Sequence, residues 1–165
     1  MDCVLFRHGI AVERQEWPGQ DQDRPLTDKG TARTRRSAKG LLTLRIIPTH
    51  LLSSPLVRSR ETAEIVRRLV RPRLTVQICD ELAPGAAPQA LFSMLNTLPL
   101  DSLVFCVGHE PHLSLTAGTW LTGQPWDGLS LKKAGACLIH TEQSVRPANG
   151  RLQWWLTAAQ LRALA

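Results

Sequence analysis

Short apolar runs alternate with amphipathic segments along most of the chain. Strands are predicted at residues 3–6, 49–52, 74–78 and 103–107, and the last is the most apolar run, expected at the centre of the sheet. Two further strands are expected near residues 136–141 and 152–156, with a turn at 147–150 between them.

Helices are expected between these strands because apolar positions recur there with the helical period. The first follows Thr27, a predicted N-cap, and ends before Pro48, and others are predicted at residues 56–70, 89–98 and 112–121, with a short helix at the end. This order predicts an α/β fold, a three-layer α/β/α sandwich around a mostly parallel sheet. The length of 165 residues favours a single domain, 1–165, with one core.

Polar and charged residues follow the ends of four predicted strands. They are Arg7-His8 after the first strand, the segment from Ser54 to Arg58 after the second, Glu81 after the third and His109 after the fourth. Ligands of parallel α/β sheets bind at the carboxyl ends of the strands, so we expect these residues to form one site. The other histidines are expected to have structural roles.

The chain has an excess of positive charge, with 20 Lys and Arg against 14 Asp and Glu. Such an excess suits nucleic acid, an anionic membrane surface or a phosphorylated substrate. The arginines cluster in predicted amphipathic helices, where most should face solvent, and no aromatic residues alternate with them. We therefore expect a phosphorylated partner and neither nucleic acid nor a membrane.

The four cysteines stand alone in apolar runs, without the spacing of a metal site. We expect reduced core thiols, no metal and no cofactor. There is no signal-peptide pattern, and no apolar run reaches the ~18 residues that cross a bilayer, so the expected location is the cytoplasm. The expected oligomeric state is a monomer or a weak dimer.

Three segments resemble the motifs of the histidine phosphatase superfamily, to which cofactor-dependent phosphoglycerate mutases belong. Residues 5–9 (LFRHG) resemble its RHG signature, residues 53–64 (SSPLVRSRETAE) its second block, and residues 107–111 (VGHEP) its third. Residues 23–30 and 81–84 are similar to the small phosphohistidine phosphatases of the SixA type. The resemblance spans roughly residues 2–120.

The resemblance implies a phosphatase that works through a phosphohistidine intermediate. His8 would be the nucleophile, and Arg7 and Arg58 would bind the phosphoryl oxygens. His109, if protonated, would add a third donor. The residues implied beside the substrate are Gly9, Glu110 and Arg24, of which Arg24 would either reach the phosphate or form a structural salt bridge. Arg60 lies about 200° from Arg58 on the helix and is expected on the surface.

The general acid is left open among several carboxylates. Glu81 is ranked first, followed by Glu110 and by Asp21 or Asp23. A protonated imidazole is a good leaving group, so a phosphohistidine phosphatase needs this acid less than a phosphomonoesterase does.

The chain is too short for the long insertions that would form a lid, which favours a phosphohistidine displayed on a signalling or phosphorelay protein as substrate. The alternatives are a small-molecule phosphomonoesterase, a phosphoglycerate mutase-like enzyme and a non-catalytic phosphate-binding module.

Overall fold

The structure, a computed structural model, describes residues 1–126 and 128–165. In this part of the chain six strands form one sheet: β1 (Asp2–Arg7), β2 (His50–Ser53), β3 (Val76–Ile78), β4 (Leu103–Gly108), β5 (Ala136–His140) and β6 (Arg151–Leu156). The strand order is β3-β2-β4-β1-β5-β6. The first four of these are parallel, whereas β5 pairs antiparallel with both β1 and β6. The predicted mostly parallel sheet is confirmed, with β4 as one of its two central strands.

Five helices cover the two faces of this sheet in the described residues: α1 (Asp28–Thr43), α2 (Val57–Val70), α3 (Pro88–Leu95), α4 (His112–Thr122) and α5 (Ala158–Ala163). Helices α1, α2 and α5 share one hydrophobic core with the sheet, and α3 and α4 share the other. The three-layer sandwich is therefore confirmed. No helix in the described ranges is long and apolar enough to cross a membrane.

The side chains of β1 alternate between the two cores, as a fully buried strand requires. Val4 and Phe6 pack in the core under α1 and α2, whereas Cys3 and Leu5 pack under α3 and α4. All four cysteines are free and buried, so the expected core thiols are confirmed.

Two element boundaries differ from those expected. Strand β3 begins at Val76, because Leu74 still belongs to a turn in which its N–H donates to the Arg71 carbonyl. Helix α3 ends at Leu95, because the next residue, Asn96, pairs through its side-chain amide with the backbone of Val145.

Strands β1 and β4 are neighbours in the sheet, and the order in which the chain adds strands reverses between them. They pair in parallel, with Arg7 opposite Gly108, and the helices that follow them lie on opposite faces. Such a switch point leaves a crevice outside the carboxyl ends of the two strands. Residues 8 and 109, which follow these strands directly, are placed side by side there.

Gly30 lets the first turn of α1 lie against the loop that follows β1. A Cβ atom at Gly30 would lie 1.9 Å from the carbonyl oxygen of Ile10, which also accepts from the N–H of Thr27. We expect Gly30→Ala to lower the free energy of unfolding by about 1–3 kcal/mol, because backbone would have to move. Urea denaturation measures this. Lys29→Ala, an exposed change on the same turn, serves as the control, and equal stability of the two variants would contradict the account.

Candidate active site

The imidazole of His8 is held rigidly by backbone groups. The backbone N–H of His8 donates to the carbonyl of Gly108 across the switch point, and the ring Nδ1 lies 2.7 Å from the carbonyl oxygen of Gly9. Because a carbonyl oxygen can only accept, Nδ1 carries the hydrogen and Nε2 keeps its lone pair. Burial lowers the pKa of His8 to about 3, with further lowering by Arg58, Arg7 and Lys133. His8 is therefore neutral near pH 7, with an unprotonated Nε2.

His109 lies next to His8, with 4.9 Å between the ring centroids. Its Nε2 is 2.8 Å from the Ser54 Oγ and 3.1 Å from the Ser59 Oγ. Burial, together with the charges of its neighbours, lowers the pKa of His109 to about 2. The condition under which His109 would add a charged donor, protonation of its ring, is not met in the free enzyme, because the ring is desolvated inside a positive cluster.

Arg7 and Arg58 enter the cleft from β1 and from the first turn of α2. Arg7 donates from Nη1 to the carbonyl of Leu131 at 2.7 Å. Arg58 donates to Asp21 twice, from Nη1 to its carbonyl at 2.8 Å and from Nη2 to its Oδ2 at 3.1 Å. The Nε atoms of both arginines are buried and have no partner in the described residues. The Nη atoms carry more hydrogens than these bonds use, so both guanidinium groups keep donors available for an anion.

Arg24 is tied to the same carboxylate. Its Nε donates to the Asp21 Oδ1 at 2.8 Å and its Nη1 to the carbonyl of Val12 at 2.6 Å. Partial desolvation opposes ionisation of Asp21, but the hydrogen bond from Arg24 and the charge of Arg58 outweigh it and lower the pKa of the carboxyl. Of the two expected roles, Arg24 fulfils the structural salt bridge, and it also lines the cleft.

Gly9 connects His8 to α2. Its N–H donates to the Oγ1 of Thr62, which in turn donates to the carbonyl of Arg58. A Cβ atom at Gly9 would lie 2.3 Å from the Oγ1 of Thr34. Close packing against α1 is therefore why glycine stands here.

Among the described residues, three carboxylates line the cleft, which has a volume of about 280 Å³. Asp21 is held by the two arginines, and Glu13 lies 3.5 Å from the Nζ of Lys133. Glu110 accepts from the N–H of Leu131 at 2.7 Å and from the Ser114 hydroxyl. Each carboxylate is thus engaged by a donor or a cation, and in the described residues none is left free in the cleft.

Glu81, ranked first as the acid, does not line the cleft. It lies in a 3₁₀ turn (Asp80–Leu82), where its carboxylate accepts from the Cys79 thiol at 3.1 Å, and this hydrogen bond lowers its pKa. The turn brings Pro84 to the cleft instead. The expectation for Glu81 is therefore corrected. Asp23 is exposed and also lies outside the cleft lining.

Arg60, His50 and His140 also lie where the sequence led us to expect them, away from the cleft. Arg60 is exposed on α2. His50 bonds to Thr49, and His140 pairs with Asp2, both outside the cleft.

Lys133 is a cleft residue that the sequence analysis missed. It precedes β5, and because β5 runs antiparallel to β1, its start lies at the edge where β1 ends. Only the pairing of a late, antiparallel strand with β1 could have indicated this residue.

The comparisons with known proteins identify the class to which this fold and cleft belong. The sequence pattern of the histidine phosphatase superfamily (branch 1) matches residues 3–84. The chain is 38% identical over 138 residues to an uncharacterized protein of Picosynechococcus sp., covering 82% of each. The chain belongs to the histidine phosphatase superfamily, and it is an enzyme of the hydrolase class.

Solved structures share this fold at low sequence identity. The protein histidine phosphatase SixA, solved with tungstate, superimposes with a TM-score of 0.85 at 22% identity, covering 98% of this chain and 99% of that chain. A mycobacterial glucosyl-3-phosphoglycerate phosphatase superimposes with a TM-score of 0.73 at 18% identity, covering 94% and 98%. Of these two phosphatases, one is named for a protein substrate and the other for a small molecule, so the fold alone does not identify the substrate.

The low pKa of His8 makes the stability of the protein depend on pH. The ordinary pKa of histidine is 6.5 and that of folded His8 is about 3, so between these values only the unfolded chain binds the proton. Stability is therefore lost as the pH falls below about 6.5, by about 1.4 kcal/mol per pH unit from this residue.

We expect His8→Asn to reduce the slope of unfolding free energy against pH by that amount between about pH 6 and pH 4.5. Urea denaturation at several pH values measures both slopes. Parallel slopes for the variant and the unaltered protein would mean that His8 is not held neutral by burial.

Proposed function

We propose that this enzyme hydrolyses phosphohistidine on a signalling or phosphorelay protein, with His8 as the nucleophile. The observation that carries the proposal is the neutral, buried His8 with an unprotonated Nε2, placed in one cleft with Arg7, Arg58 and His109. A phosphate-binding module needs the arginines but has no use for a nucleophile in this state.

In the first step, Nε2 of His8 attacks the phosphorus atom and the bond from phosphorus to the leaving imidazole breaks. The planar donor groups of Arg7 and Arg58 match the phosphoryl oxygens and balance their charge. The hydrogen bond from Nδ1 to the Gly9 carbonyl keeps the ring oriented and stabilises the positive charge that it acquires. A neutral His109 contributes a ring N–H rather than a charge.

In the second step, water attacks the phosphorus atom and the bond to Nε2 breaks. His8 returns to its neutral form, and inorganic phosphate leaves. The low pKa of His8 supports this cycle, because the nucleophile is regenerated without a competing proton on Nε2.

The carboxylates of the cleft favour a substrate with a good leaving group. Among the described residues, Glu13, Asp21 and Glu110 are each engaged by donors or cations, which supports a substrate that needs no proton from them. An alkoxide leaves poorly without a proton, whereas an imidazole protonated in solution leaves readily. This difference supports phosphohistidine over an alkyl phosphate.

The four free, buried thiols support a cytoplasmic location for this activity, since reduced cysteines are typical of that compartment.

The proposal is tested by kcat/KM for three substrates: a phosphohistidine protein, an aryl phosphate and glycerol phosphate. We expect the alkyl ester to react at least about 100-fold more slowly than the aryl ester, since its leaving group receives no positioned proton. Phosphohistidine should be the best substrate, with free phosphate released.

Other outcomes identify the alternatives. Equal rates for the alkyl and aryl esters would indicate a small-molecule phosphomonoesterase with a proton donor. With phosphoglycerate added as a fourth substrate, transfer of its phosphoryl group without release of phosphate would indicate a mutase. If no substrate is turned over, the result would favour the alternative of a non-catalytic phosphate-binding module.

A further inference from the structure

A second cavity, of about 460 Å³, adjoins the active-site cleft and shares Arg7 and Lys133 with it. Three more cations line this cavity: Arg33 from α1, Lys132 from the loop before β5 and Arg162 from α5. No carboxylate is among the described residues that line it. The second cavity is therefore a uniformly positive extension of the cleft.

The three added cations have no carboxylate partner within the described ranges. Arg33, Lys132 and Arg162 form no ion pair there, in contrast to Arg67, Arg68 and Arg151 elsewhere on the surface. Like charges gathered around one concave surface repel each other and raise the local concentration of anions. Such an arrangement favours the binding of an anionic group.

The position of the second cavity indicates that this group belongs to the substrate. Arg7 is in both cavities, so an anion beside it would lie next to the phosphoryl group at His8. The cations come from three separate elements, and Arg33 and Lys132 are exposed. Several spaced carboxylates fit such a surface better than one phosphate, which requires donors converging on it.

We propose that the second cavity binds Asp or Glu side chains that flank the phosphorylated histidine of the substrate protein. This inference rests on the proposed function and adds a preference for acidic sequence around the phosphohistidine. Ile10 and Ala134, which also line the cavity, offer apolar contacts to the methylene groups of these side chains. Attraction of this kind raises the association rate and weakens as salt is added.

The test compares two synthetic peptides that carry one chemically phosphorylated histidine, flanked in one by Glu and in the other by Gln. We expect the unaltered enzyme to show a kcat/KM about tenfold higher for the Glu peptide, and this preference should decline with salt. In R33A/R162A the preference should fall to within about twofold, since two of the cations are lost.

The matched control is R35A/R60A, which removes two exposed arginines that lie outside the second cavity. It should keep the preference for the Glu peptide. The control should also hydrolyse the Gln peptide like the unaltered enzyme. For both variants the readout is the ratio of the two kcat/KM values, which does not depend on the fraction of folded enzyme.

If the unaltered enzyme hydrolyses both peptides with equal kcat/KM, this inference is overturned and the proposed function is unaffected. A preference that survives in R33A/R162A would also overturn it. Turnover of an aryl phosphate with neither peptide hydrolysed would overturn the proposed function, and this inference with it.

Discussion

The removal of His8 from water is the constraint on which the rest of the site depends. A solvated imidazole would titrate near neutrality and rotate freely, whereas His8 as a residue is 7% exposed and its Nδ1 is bonded to the Gly9 carbonyl. Burial gives one tautomer, one orientation and an unprotonated Nε2. The same environment imposes the neutral state of His109, which lies beside it.

The sheet supplies this environment by pairing β1 with β4. Parallel pairing places the residues after the two strands in contact, and the helices that follow diverge to opposite faces. The cleft that remains is narrow enough to desolvate two imidazoles and open enough for an anion to reach them. Asp21 then orients two of the arginines, because it accepts from Arg58 and Arg24 together.

The parts of this arrangement that depend on strand ends could be predicted from the sequence. The four residues Arg7, His8, Arg58 and His109 lie at the end of a strand, directly after one, or in the first turn of a helix. The parallel topology alone therefore brings them to one edge. Thr27 could be predicted as an N-cap for a similarly local reason, and its Oγ1 accepts from the Gly30 N–H at 2.9 Å. What the topology does not decide is the direction in which a turn presents its side chains.

Glu81 and Lys133 are two residues whose positions relative to the cleft could not be predicted from the strand order. Glu81 follows β3 as expected, but a 3₁₀ turn engages its carboxylate with Cys79 instead of the cleft. Lys133 lies far along the chain and enters the cleft only because β5 runs antiparallel to β1. The neutral state of His109 depends on its burial and on the charges of neighbours from other elements, such as Arg58, which no local pattern encodes.

The measurement that tests the central claim most directly is the position of the phosphoryl group in the trapped intermediate. The enzyme is mixed rapidly with a phosphohistidine protein and quenched at alkaline pH, and the phosphorylated atom is assigned by mass spectrometry and ³¹P NMR. The account predicts phosphorus on Nε2 of His8, lost in His8→Asn and kept in the control His140→Asn. Phosphorus on Nδ1, or on another residue during turnover, would contradict it.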